Sequence, residues 1–201
     1  MFVRNQVMYH FNNSEKRKDI WVEGKTIDTF NYVSDMWNNA INFNTKTKLN
    51  SDGYFSFPAI IDVFLEKEHS NETYTQMLKE ASRLLKCYSL LERELILEEV
   101  RKKYYKKLPS RITSIFLCDS KQIEYWKEKL TNNSEPDLFE VKVTGKIFKS
   151  NDELLPKSGE SYLTMVEQAK KYWNADLKNI DEKTSEYLLE GKIKILEKCK
   201  I

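Results

Sequence analysis

Leu108-Pro109-Ser110-Arg111-Ile112-Thr113-Ser114-Ile115-Phe116-Leu117-Cys118-Asp119-Ser120 is the stretch against which the rest of the sequence can be ordered. A charge-dense, basic helix candidate runs into it. Pro109 stops that helix, because proline pushes the residue before it out of the α conformation. Ile115-Phe116-Leu117 reads as a short buried strand, and Asp119 or Ser120 can cap the helix that follows. Arg111, Thr113 and Ser114 read as part of the same strand. A strand that carries an arginine and hydroxyls into a core presents them to something. Alternation puts Ser114 and Phe116 on one face and Ile115 on the other. Arg111 has the opposite parity and joins them only through a bulge or a strand start at Ile112.

Upstream, Val7 to Phe11 reads as a short strand with His10 at its end, and Ile20-Trp21-Val22 as a second apolar triplet closed by Glu23-Gly24-Lys25. Residues 28–43 are ambiguous, since Phe30, Tyr32, Val33, Met36, Trp37 and Ile41 fit a helical stripe imperfectly. Asn44 to Gly53 is a loop by its Asn, Thr, Ser, Asp and Gly content. From 57 to 107 apolar residues recur at three and four, which predicts three helices, the second starting at Ser70 or Asn71. This block reads as a helical insertion at about 55–107 in a single domain spanning 1–201.

Downstream, Ile123, Trp126 and Leu130 mark a short amphipathic helix. Phe139, Val141 and Val143 alternate with polar neighbours as in a half-buried strand; Gly145 turns it and Ile147-Phe148 continues. Tyr162, Met165, Val166, Ala169, Tyr172 and Trp173 form the cleanest helical stripe, most simply a core face. Lys192 to Leu196 is a last strand, preceded by Gly191. The irregular order of strands and helices predicts an α+β domain rather than a doubly wound sheet.

Composition narrows the function classes. The chain has 201 residues, 32% of them charged and 12% aromatic, with a net charge of +2, so overall charge argues for neither nucleic acid nor an anionic membrane. Cys87, Cys118 and Cys199 are widely spaced, which suits reduced thiols in a cytoplasmic protein. His10 and His69 have no cysteine near them in sequence, so no structural zinc and no metal is expected. No signal peptide or apolar run of transmembrane length is read. The glycine-rich nucleotide loops, H-E-x-x-H, G-x-S-x-G and kinase signatures are all absent.

Weaker constellations each have two readings. His10 is either half-buried at a strand end with its nitrogens satisfied by backbone, or a ligand-orienting residue in a cleft. Arg111 with Ser114 is either an anion grip or an arginine paired to an acid of the preceding helix. The run from Arg101 to Lys107 is a solvated helix end or a nucleic-acid patch with stacking tyrosines. Glu186 is solvated, or it faces His10 across a cleft.

The segment Ile112 to Asp152 resembles the core of ADP-ribosyltransferases, the rifampin-modifying type in particular. Tyr9-His10 matches that family's aromatic-His strand, and Gly24-Lys25-Thr26-Ile27 its Gly-x-x-Ile. Ser114 to Cys118, the helix 121–130 with Trp126, Phe139 to Gly145, and the acidic turn at Asn151-Asp152 follow in the family's order. The chain is also similar to an uncharacterised bacterial family that shares Pro-Ser-Arg before this strand, Tyr-Trp after the late helix and a closing Glu-x-Leu-x-x-Gly-x-x-x-Ile/Val. The matches cover about half of the chain, and the helical block has no counterpart in the rifampin-modifying enzymes.

The resemblance implies an ADP-ribosyltransferase-like fold with a mixed or antiparallel sheet, and NAD as substrate. His10 would hold the NAD ribose. Phe116 would stand where the family has a tyrosine against nicotinamide, keeping the ring and losing the hydroxyl. Glu186, or else Asp152, would be the acid beside the ribose, with Glu186 the closer fit. Arg111 and Ser114 would contact the pyrophosphate or ribose. The acceptor of ADP-ribose, whether protein, nucleic acid or small molecule, is left open. The competing expectation is a non-catalytic binding module of the same fold engaging a protein or nucleic acid, and a third is an interaction protein with Arg111 bridged to Glu98 or Glu99.

Overall fold

Two long strands with alternating burial, both near the C-terminal end, organise the protein. The structure is a computed structural model that describes residues 1–13, 17–43, 46–48, 54–66, 68–131, 135–175, 177 and 180–200. In chain order it contains β1 (Phe2–Asn12), β2 (Thr26–Asp28), α1 (Asp35–Asn42), β3 (Lys46–Lys48), β4 (Tyr54–Ser56), α2 (Phe57–Leu65) and α3 (Asn71–Tyr104). There follow β5 (Ile115–Leu117), α4 (Ile123–Leu130), β6 (Asp137–Asn151), α5 (Tyr162–Asn174) and β7 (Ser185–Cys199). The class is α+β, built on a five-stranded antiparallel sheet in the order β1-β6-β7-β2, with β5 also paired to β7.

The pairings close on themselves. β6 pairs with β7 over their whole length, β1 pairs with β6, and β5 pairs with the first half of β7. A bridge between Tyr9 and Cys118 then joins the end of β5 to the other edge of β1. The ring β1-β6-β7-β5 encloses an inner core that includes Met8, Trp21, Ile115, Leu117, Val141, Val143, Leu189, Ile193 and Ile195. On the outer face α3 and α5 cover β7, with Ile96, Leu97, Val100, Met165, Trp173, Phe148 and Leu188 buried together. A third cluster seats α4 on Phe11, Cys118 and Leu138.

Several sequence expectations change here. Residues 71–104 are one helix, not two, because no glycine or proline interrupts them; Ser70 caps it by accepting from Thr73 N–H. Its last turns lie in the main outer core with Trp173 and Leu188, so this end of the helical block is integral to the sheet's packing. The apolar triplet Ile20-Trp21-Val22 lies in a turn, with Gly24 at φ +81° and Trp21 buried in the inner core. The ambiguous 28–43 resolves into the end of β2, a short 3₁₀ turn and α1, which Ser34 caps. Of the loop expected from Asn44 to Gly53, Lys46–Lys48 pairs with β4 and the rest lies outside the described residues.

Gly145 does not turn the chain. It sits inside β6 directly opposite Gly191 inside β7, and both strands run through. The last strand therefore starts at Ser185 and not after Gly191. Asp119 does cap the helix beyond β5, as expected, through a reciprocal pair of bonds with Gln122.

Among the described residues, no helix is long and apolar enough to cross a membrane. No group of three or more His, Cys, Asp or Glu side chains among them is placed to hold a metal ion.

Candidate functional site

Arg111 stands in a turn, not in a strand. Ser114 N–H and Thr113 N–H both donate to the Ser110 carbonyl, and β5 begins only at Ile115. The turn is tied down on α3: Ser110 Oγ donates to Glu98 Oε2 at 3.0 Å, and Arg101 holds both Glu98 and the Leu108 carbonyl. The parity conflict between Arg111 and Phe116 therefore disappears. Outside the strand, the guanidinium is free to turn toward the helical layer, where Phe116 also points.

There it meets two carboxylates. Arg111 Nε donates to Glu94 Oε2 at 2.8 Å, and Nη2 to Glu94 Oε1 at 3.4 Å. Nη1 donates to Glu186 Oε1 and to the Tyr172 hydroxyl, each at 2.5 Å, and Nη2 also points at Met36 Sδ, 3.6 Å away. The Tyr172 hydroxyl in turn donates a hydrogen bond to the same Glu186 Oε1. The guanidinium carbon lies 4.9 Å from the centre of the Phe116 ring and 5.1 Å from that of Tyr172. All five N–H donors of an arginine are thus directed at protein partners, so Arg111 has none left for a pyrophosphate. Its pairing is with Glu94 and Glu186, not with Glu98 or Glu99.

Charges this deep need each other. Arg111, Glu94 and Glu186 are all buried, and an ion taken out of water costs several kcal/mol, roughly, unless a partner and hydrogen bonds replace the solvent. Burial alone would depress the Arg111 pKa, but Glu186 and Glu94 hold it well above its ordinary value. Tyr172 is held well above the usual phenol range, first by burial and then by its carboxylate neighbours, with Arg111 opposing.

His10 occupies the other side of the sheet. Its ring stacks on Trp21 at 3.9 Å between centroids and 11° between planes, within the inner core. Nδ1 lies 2.8 Å from the Phe116 carbonyl oxygen. A carbonyl only accepts, so Nδ1 carries the proton and the neutral ring's basic nitrogen is Nε2. Burial lowers the imidazole pKa to about 4.

The six residues singled out from sequence therefore separate. Arg111, Phe116 and Glu186 share one network on the helical face. His10 touches that network only through the Phe116 main chain, with its ring on the opposite face. Ser114 Oγ is fully buried and makes no hydrogen bond, a property it shares with Trp21 Nε1. Asp152 lies elsewhere, on a 3₁₀ turn, where it accepts from Tyr125 at 2.7 Å and from Lys129. Two open clefts, of about 520 Å³ beside Leu78, Leu85 and Arg93 and about 690 Å³ beside Tyr125, Asp181 and Thr184, are lined by none of the six.

A protein-family model described as "Protein of unknown function (DUF2441)" matches residues 8–201. The chain belongs to the DUF2441 family. No curated protein matches it. The DUF2441 match opens two residues before His10 and runs through β7, so the buried network and the His10–Trp21 stack both fall within it.

Three members of these buried clusters were not identified from sequence: Glu94, Tyr172 and Trp21. Glu94 carried a usable signal, since it lies three residues from both Leu91 and Leu97, and a charge on an apolar helical stripe asks for a buried partner. Tyr172 read only as core, and its hydroxyl is the part that periodicity does not see.

Proposed function

We propose that the protein is an ADP-ribosyltransferase-like, NAD-binding enzyme that breaks the nicotinamide–ribose bond, with Glu186 as the carboxylate beside the ribose. The observation that carries this reading is that β1, β5 and β7, the strands bearing His10, Phe116 and Glu186, are consecutive neighbours in the ring of pairings. Phe116 joins the two sides: its carbonyl fixes the His10 ring, and its own ring lies under the guanidinium that holds Glu186.

The chemistry asks for a carboxylate. As the bond breaks, its electron pair goes to the pyridinium nitrogen, which leaves as neutral nicotinamide, and positive charge builds on the anomeric carbon. A fixed negative charge stabilises that state, as in glycoside cleavage. Water or another acceptor then adds to the anomeric carbon and gives up one proton. Arg111 bridges Glu94 and Glu186, and Arg93 supplies Glu94 with a second cation.

A second reading has its own support. His10 and Glu186 face opposite sides of the sheet, which favours a non-catalytic binding module of the same fold. The run beyond α3 would then be a contact surface: Lys106 and Lys107 are exposed, and Lys103 and Lys170 lie over the ring of exposed Tyr104. Calorimetric titration with NAD, followed by chromatography for free nicotinamide, separates the two. Binding with release that Glu186→Gln abolishes supports the enzyme. Binding without release supports the module, and no binding at all overturns the NAD reading; nucleic-acid affinity that falls steeply with salt would then favour the basic surface.

A further inference from the structure

The two oxygens of Glu186 are not equivalent. Oε1 receives both Arg111 Nη1 and the Tyr172 hydroxyl. Among the described residues Oε2 has no hydrogen-bond partner, and it is not one of their sealed, unpartnered polar atoms, which are Trp21 Nε1 and Ser114 Oγ. Glu186, only 4% exposed, thus has one oxygen anchored by two donors and the other without a partner among the described residues. Nothing else in the buried network has this asymmetry. Both oxygens of Glu94 are taken, by Arg111 and Arg93.

Resting on the reading of Glu186 as the ribose-facing carboxylate, we infer that Tyr172 and Arg111 are positioning residues that pin Oε1 and aim Oε2 at the reacting sugar. Glu94 fixes the guanidinium in turn. The two donors come from different elements, α5 and the turn before β5, so the carboxylate cannot rotate without breaking bonds to both. Neither residue touches substrate. Their contribution is orientation, which acts on the transition state more than on ground-state binding.

The test is steady-state NAD hydrolysis by the full chain, read as kcat and KM separately. Tyr172→Phe removes one hydroxyl and keeps the ring; it should lower kcat about tenfold or more, the worth of one hydrogen bond to a charged group, with KM within about twofold. Arg111→Lys, which keeps the charge and loses the fork, should show the same split. It also serves if Tyr172→Phe loses its cooperative thermal melt. A wild-type protein that releases no nicotinamide overturns the reading and this inference with it. Release that Glu186→Gln abolishes, but that both positioning variants leave within about twofold of wild-type kcat, overturns the inference alone.

Discussion

Gly145 and Gly191 face each other across β6 and β7 with no room for a side chain on either. A Cβ built on Gly145 would lie 2.7 Å from the Gly191 Cα, and one built on Gly191 would lie 2.7 Å from the Gly145 Cα. The obstacle is main chain in both directions, so a side chain cannot simply rotate away. This close approach lets the two longest strands stay paired along their full length while β1, β5 and β2 find partners around them.

Gly145→Ala and Gly191→Ala should each destabilise the protein by about 1–3 kcal/mol, the range for forcing extra volume into a packed core. Urea unfolding measures it as a lower midpoint with an unchanged slope. A midpoint unmoved by either substitution would mean that the strands separate easily here.

Stability should fall with acid because of His10. Its folded pKa is about 4, against 6.5 when unfolded. Above pH 6.5 the ring is neutral in both states and its burial carries no ionisation penalty. Between 6.5 and 4 the unfolded chain takes up a proton that the folded chain refuses, so stability drops as pH falls through that window. The loss is on the order of 3 kcal/mol by pH 4. NMR titration of the two imidazoles, assigned with His69→Gln, should show His10 unprotonated down to about pH 5. A His10 signal titrating near its ordinary value would refute the prediction.

How much of this was legible beforehand follows from the range of each signal. The α5 stripe, the Asp119 cap and the Phe139–Val143 alternation depend on neighbours within one element, and they were readable. So was the α+β class. Gly145 read as a turn because the sequence holds no trace of its partner 46 residues away, and that partner gives the glycine its reason. The Arg111 parity problem had the same origin: the turn at Ser110 is fixed by Glu98 on α3, a contact between elements. His10 and Glu186 were both expected to matter, and both are buried polar groups with specific partners. Which face of the sheet each takes is a property of the closed ring, and no local pattern encodes it.

Cys118 should be chemically silent in the folded protein. Burial first, and Asp119 beside it, push the thiol up to about 12, and thiolate is the reactive form. Treatment with a thiol-specific disulfide reagent at about pH 8 should label Cys87 in the native state and reach Cys118 only after denaturation. Mass spectrometry of the labelled peptides distinguishes the sites. Fast native labelling at Cys118 would show that the Tyr9–Cys118 closure of the ring opens readily.

The buried network gives the largest expected effect. Replacing Arg111 by Met retains much of the side chain's length and removes the charge, leaving Glu94 and Glu186 facing each other's field with only Tyr172 and the half-exposed Arg93 to answer it. Breaking one side of a buried ion pair costs about 3–5 kcal/mol, mostly as the penalty for the charge left behind. If that is the source of the loss, removing the stranded charges should recover part of it. The triple variant Arg111→Met, Glu94→Gln, Glu186→Gln is therefore expected to be more stable than Arg111→Met alone, although it has fewer native contacts. Chemical unfolding at pH 7 measures both. A triple variant less stable than the single one would show that Arg111 acts through packing against Phe116 and Tyr172, not through its charge.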